Sequence, residues 1–211
     1  MDGDWDENAF LEQSKEYQLV YIFSENPLTV TDGAIQLVDT KITYQKLVSV
    51  SDEMPSGIVP YRAEMCEGLL KLALDSGEYS RFKIDTRLGQ SEFEKLYKLW
   101  IKKALDANSI LEAQPLQGMV TYCLEGNSAS IGLIAVAQGS RGLGWGKKLM
   151  KAAEVKAFLF GAKTITVSTQ EANSPACKLY DSLEYKLFEK MYVYHWWKSS
   201  MTQSDTLPDD L

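Results

Sequence analysis

The sequence predicts an α/β (α+β) fold: a mixed sheet flanked by helices, with a smaller N-terminal α/β portion. Two observations carry this. Segments with a period of two, above all "GMVTYCLEG" and "ASIGLIAVA", alternate with segments of helical period such as "SEFEKLYKLWIKKAL". From residue 131 to 169 the order strand, glycine-rich loop, helix, strand also requires a crossover between parallel strands, and such crossovers are right-handed.

Element by element, "WDENAFLEQSKEYQ" is polar and helix-compatible, and "LVYIF" has the β-branched and aromatic richness of a buried strand. "SENPLTVTDG" reads as a loop. "AIQLVDTKITYQKLV" alternates apolar and polar residues from Ile42 to Leu47 and predicts one or two strands. "SVSDEMPSGIVP" reads as an exposed connection. Met65, Leu69, Leu72 and Ala73 share helical spacing before a turn at Ser76-Gly77. In the next helix Phe93, Leu96, Tyr97, Trp100 and Ile101 share a face, with Ser91 as the expected N-cap and Glu94 three residues on. "GNS" closes a hairpin between the two period-two segments. "GKKLMKAAEVKAFLFG" places Leu149, Ala153, Ala157 and Phe160 on one face and ends on Gly161 as a C-cap. "KTITVST" is then a strand, "SPACKLYDSLEY" a helix and "YKLFEKMYVYHWW" one or two closing strands, before a tail expected to be disordered. The division is thus residues 1–55, 56–198 and a tail of 199–211.

Composition removes several functions. A net charge of −7 disfavours general affinity for nucleic acid or anionic membrane. No apolar run has the length of a membrane span, and "MDGDWDENAF" lacks the features of a signal peptide, so a cytoplasmic protein is expected. Cys66, Cys123 and Cys177 form no CxxC pair and read as reduced, half-buried thiols. His195 is the only histidine, which excludes a two-histidine metal site, and it reads as structural within a strand. No metal is expected.

Three phosphate-binding patterns compete for the glycine loop "GSRGLGWGKKLM". GxGxxG fails because its last glycine would be Lys147, and a Walker A loop fails at Arg141 and Lys148. R-x-x-G-x-G fits, through Arg141, Gly144 and Gly146. Bare glycines let main-chain N–H groups approach phosphate oxygens, and the helix that follows adds its unsatisfied donors and positive end.

With these residues "IGLIAVAQGSRGLGWGKKLM" resembles the strand, loop and helix of the GNAT acetyltransferases. "NSPACKLYDSLEY" is similar to the family's second signature through Asn173, Ala176 and Tyr180. The resemblance implies a GNAT fold and acetyl-CoA as co-substrate. It places the pantetheine arm on the backbone of Ile134, Ala135 and Val136, and its reactive end near Asn173. It places the pyrophosphate on Arg141, Gly142, Leu143, Gly144, Trp145, Gly146 and Lys147, with Lys148 adding charge. Tyr180 would be the general acid, since a phenol can protonate a thiolate whose reference pKa is about 8.5. Glu125, Glu171 and Asp85 are carboxylates near loops and stand as base candidates, alongside a water chain. Glu184 occupies a position where the family often has glycine, so that turn is expected to be strained or altered.

Upstream, "YSRFKIDTRLGQSEFEKLYKLWIKKAL" resembles the middle of the TDP-fucosamine acetyltransferases. That implies a nucleotide-linked amino sugar as acceptor, with Arg81 and Phe82 as substrate-binding residues and Tyr79 and Lys83 near them. A small-molecule amine is therefore the expected partner, without nucleic acid or membrane, and a homodimer is compatible with the sequence. Alternatives are a GNAT acting on a protein N-terminus, an amino acid or a polyamine, and a non-catalytic acyl-CoA-binding module.

Overall fold

The computed structural model describes residues 5–49 and 53–198, so the segment expected to be a disordered tail lies outside the described residues. The eight strands of the fold are mixed in direction and are flanked by helices. Residues group into two compact units: Asp39–Lys190, and the chain before residue 39 together with the chain after residue 190. The expected division at residue 55 follows position along the chain, whereas these units follow contacts, and the last strand returns to the N-terminal part.

In the smaller unit α1 (Glu7–Ser14) starts at Asp6, whose side chain accepts the Ala9 N–H at 3.0 Å. Strand β1 (Leu19–Ser24) pairs antiparallel with the end of β8 (Lys186–Trp197), from Leu19 opposite Trp197 to Ser24 opposite Tyr192. The expectation of a buried strand is corrected here. β1 is an edge strand, and Tyr21 and Phe23 lie on an exposed face while Val20 and Ile22 pack toward Ile35, Tyr194 and Trp196. His195 is fully buried beside the Tyr21 ring, as a structural residue should be.

The larger unit orders its strands β2-β7-β6-β5-β4-β3. These are β2 (Ile35–Leu47), β3 (Ile58–Pro60), β4 (Ile110–Ala113), β5 (Gly118–Glu125), β6 (Ser128–Val136) and β7 (Thr164–Gln170). All pairs with a stated register are antiparallel except β6 with β7, the parallel pair that the crossover required. On one face lie α2 (Glu67–Ser76), the short α3 (Arg81–Ile84) and α4 (Gln90–Asp106). On the other lie α5 (Trp145–Phe160) and α6 (Ser174–Ser182).

Of the one or two strands expected in each of two stretches there is one, Ile35–Leu47 and Lys186–Trp197, while several other local expectations change. β3 and β4 were not anticipated, and the buried Ile58 sits within the segment read as an exposed connection. α4 is capped by Gly89 instead of Ser91, with no side-chain cap, and Gln90 donates to Glu94 one turn on. α2 begins after Cys66, leaving Met65 outside it. Phe160 is half exposed, so it does not complete the buried face of α5. Cys66 and Cys123 are exposed and only Cys177 is half-buried. Glu184 adopts φ 65°, so the turn keeps its left-handed geometry and a non-glycine residue carries the strain.

Candidate active site

The site begins with a fault in strand β6. Its partners on β5 run from Val120 opposite Ile134 to Tyr122 opposite Ile131, so Gly132 and Leu133 together oppose Thr121. This is a bulge, and the Thr121 hydroxyl accepts the Leu133 N–H at 2.8 Å. One extra residue swaps the faces of everything that follows. Ala129 and Ile131 face α5, whereas Leu133 and Ala135 face α2 and α4.

The bulge also marks where β6 leaves β7. Their parallel pairing stops at Ile131 opposite Val167, although β7 continues to Gln170 along β2. Beyond that point the β7 side of β6 has lost its partner strand. Ala137 N donates to Gln117 O, and the alternation of an antiparallel ladder then ties Ala135 to Met119. The main-chain groups of Ile134 and Val136 therefore face the parting, and those of Ala135 do not. Arg141 confirms the direction, its Nε donating to Val136 O at 3.2 Å.

The loop follows directly. Gly142 and Gly144 hold φ 79° and 83°, and Gly144 is the N-cap of α5. Their N–H groups and those of Leu143, Trp145, Gly146 and Lys147 find no acceptor among the described residues. Lys147 is exposed beside them, but Lys148 is turned away, bonded to Ser56 O at 3.2 Å and lying over the Trp145 ring. A run of uncapped amides at a helix N-terminus suits an anionic diphosphate. Gly146 serves a different purpose. A Cβ there would lie 3.2 Å from Leu179, so this glycine lets α6 close onto the start of α5.

A cavity of about 190 Å³ opens at the parting of the strands. It gathers Ile134 from β6, Asn173 from the N-cap of α6, Tyr180 from α6 itself, and Arg81 and Phe82 from α3. Tyr180 is buried against Tyr44 and Tyr185, and desolvation pushes its phenol pKa upward, which keeps it protonated. Asn173 caps α6 by accepting from Ala176 N and donates to Thr169 Oγ1, which leaves it one further donor and one further acceptor site. The Arg81 guanidinium lies 4.4 Å from the centre of the Phe82 ring.

Residues 71–185 match the model of the acetyltransferase (GNAT) family, more than half of the chain. The chain belongs to the GNAT acetyltransferase family. As a member it is an acetyl-CoA-dependent N-acetyltransferase. A Novosphingobium aromaticivorans protein assigned to the GNAT family shares 14% identity and a TM-score of 0.58, over 91% of this chain and 80% of that one. A GCN5-related N-acetyltransferase from Sphaerobacter thermophilus shares 12% identity and a TM-score of 0.54, over 76% of this chain but only 52% of that one. An acetyltransferase of the GNAT family from Colwellia psychrerythraea shares 14% identity and a TM-score of 0.53, over 84% of this chain and 64% of that one. The acetyltransferase therefore spans only about half to two thirds of the length of the last two, and at these identities the likeness is one of fold. No curated protein matches the sequence.

None of the three carboxylates expected as a base lines this cavity. Asp85 is held by Arg87 through two bonds of 2.8 and 3.1 Å, and Glu171 is bonded to Lys190 at 2.8 Å. Glu125 stands at the hairpin end of β5. Lys83 pairs with Glu78 at 3.2 Å, and neither it nor Tyr79 reaches the cavity. What the sequence reading missed is Asp39, which lines the cavity together with Lys41. Both come from β2, where nothing in "QLVDTK" marks a site. Among the described residues there is no group of acidic, cysteine and histidine side chains able to hold a metal. No described helix is long and apolar enough to cross a membrane.

Proposed function

We propose that the enzyme acetylates the primary amine of a small acceptor that also carries an anionic group. The nucleotide-linked 4-amino sugar expected from the sequence is an acceptor of this kind. The carrying observation is that a single cavity holds Tyr180, the free edge of β6 at Ile134, and the cations Arg81 and Lys41. At about 190 Å³ it is smaller than the roughly 300–1,000 Å³ of a complete small-molecule site. Only the amine-bearing end of a nucleotide sugar would enter, with the phosphates on Arg81 and Lys41 and the base outside.

Acetyl-CoA supplies the thioester. The amides of Gly142 to Lys147 bind its diphosphate, Ile134 and Val136 offer main-chain groups to the pantetheine arm, and Asn173 has one donor and one acceptor left for it. Tyr180 delivers the proton to the leaving sulfur. Burial raises its pKa and keeps it protonated, at the expense of acid strength, so the donation depends on its position at the leaving sulfur; positioned acids of this type contribute about 10²–10⁴-fold.

The test is thiol release from acetyl-CoA with a panel of TDP-fucosamine, glucosamine 6-phosphate, glucosamine, lysine, spermidine and an alanine-initiated peptide. Turnover is expected with the phosphorylated amines and to be at least about tenfold slower with plain glucosamine, the loss of one charge-assisted contact. Preference for spermidine or the peptide would refute the acceptor class. Binding of acetyl-CoA without turnover of any amine would leave a coenzyme-binding module.

A further inference from the structure

The cavity contains a chemical contradiction. Asp39 is 7% exposed, and its Oδ2 has no hydrogen-bond partner among the described residues. Asp39 makes no ion pair among them either. A buried carboxylate oxygen without a partner costs stability, and a catalytic use is one reason for a native protein to retain it. Asp39 is also the only carboxyl lining the cavity among the described residues.

We propose that Asp39 is the base of the reaction, its unpartnered Oδ2 receiving the proton of the acceptor ammonium in the cavity that also holds Tyr180. This rests on the acetyl-transfer reading above. The groups acting on Asp39 come from every side of it. Arg81 on α3 and Lys41 on β2 stabilise its charge, the Gln170 side chain on β7 and the Thr40 N–H bond it, and the Tyr97 phenol on α4 is coupled to it electrostatically. Desolvation outweighs them and raises its pKa to about 6, close to the pH at which a base works best.

The proton balance is complete. The ammonium gives one proton to Asp39, and the neutral amine attacks the acyl carbon. The C–N bond forms, the C–S bond breaks, and the sulfur leaves with the proton of Tyr180. The second amine proton restores Tyr180 through water, and Asp39 releases its proton to solvent. One proton leaves per turnover, as acetylation of an ammonium requires.

Asp39 lies outside the stretch matched by the family model, residues 71–185. The test compares wild type with Asp39→Asn and Asp39→Glu, using the panel amine that turns over fastest. Asp39→Asn is expected to lower kcat/KM for the amine at least about 100-fold at pH 7. The Kd for acetyl-CoA should be unchanged, and the loss of rate that wild type shows below about pH 6 should vanish from the pH profile. Asp39→Glu is expected to restore part of the rate and the acidic limb. Should Asp39→Asn fold poorly, Asp39→Ala with added formate takes its place, and recovery of rate with formate is expected. An Asp39→Asn enzyme within about threefold of wild type, with its acidic limb intact, overturns the assignment. So does Asp39→Ala insensitive to formate. If wild type binds acetyl-CoA but turns over no panel amine, the acetyl-transfer reading fails first and this inference with it.

Discussion

The two ends of the proposed site are made of different materials. The coenzyme end is main chain: six successive amides from Gly142 to Lys147, held open by left-handed glycines and a helix start. The acceptor end is side chains, Asp39, Lys41, Arg81 and Tyr180, brought together from β2, a four-residue helix and α6. A main-chain site is common to every ligand with the same diphosphate and is indifferent to which side chains surround it. A side-chain site is tuned one residue at a time. The first suits a shared donor, and the second suits an acceptor that differs from one enzyme to the next.

Substitutions can break this contrast, the largest effects first. Gly144→Val should weaken acetyl-CoA binding at least about 100-fold by calorimetry. The left-handed cost of about 1–2 kcal/mol redirects the amides but is too small to unfold a domain stable by about 5–15 kcal/mol. A folded Gly144→Val protein with normal affinity would end the main-chain account. Tyr180→Phe should reduce kcat by at least about tenfold while donor Kd stays constant, because the lost proton matters only in the transition state. Equal losses in both would make Tyr180 a packing residue.

Stability separates the ends as well. The folded-state pKa of Asp39 is raised, so the folded protein binds the extra proton between the ordinary carboxylate pKa and about 6. Stability is then greatest below the unfolded pKa and is lost as pH rises through about 6. Asp39→Asn should therefore stabilise the protein at pH 7.5 by on the order of 2 kcal/mol and by nearly nothing at pH 4, as read from urea melts. A gain that is the same at both pH values would contradict a raised pKa. Smaller again, Lys147→Gln should cost only about three- to tenfold in acetyl-CoA affinity, since the amides remain. A loss matching that of Gly144→Val would mean that the side chain, and not the backbone, holds the diphosphate.

The same difference decides what could be read from the sequence. The proposed donor loop occupies one short stretch, and its motif through Arg141, Gly144 and Gly146 is legible as a unit, although Gly146 is needed for the approach of α6 and not for the binding. The helix carrying Asn173 and Tyr180 was legible for a similar reason, its residues being seven apart on one element. Asp39 was not, because an acid alternating with apolar neighbours in a strand looks like any solvated residue until the tertiary fold closes over it. Asp85 and Glu171 are instead drawn into local ion pairs and stand outside the cavity. The bulge did leave a sign in Gly132, a glycine interrupting a strand whose Cβ would lie 2.9 Å from Thr121 Oγ1. β3 and β4 left little, being three and four residues long, with Gly57 before one and Pro115 after the other.

The close contact between Gly146 and Leu179 has an experimental consequence. Leu179 is the residue before Tyr180, so any bulk introduced at position 146 pushes on the backbone that aims the phenol. A variant made there to study coenzyme capture would register mainly as slow chemistry. A screen scoring only product would then file a misdirected acid under weak grip.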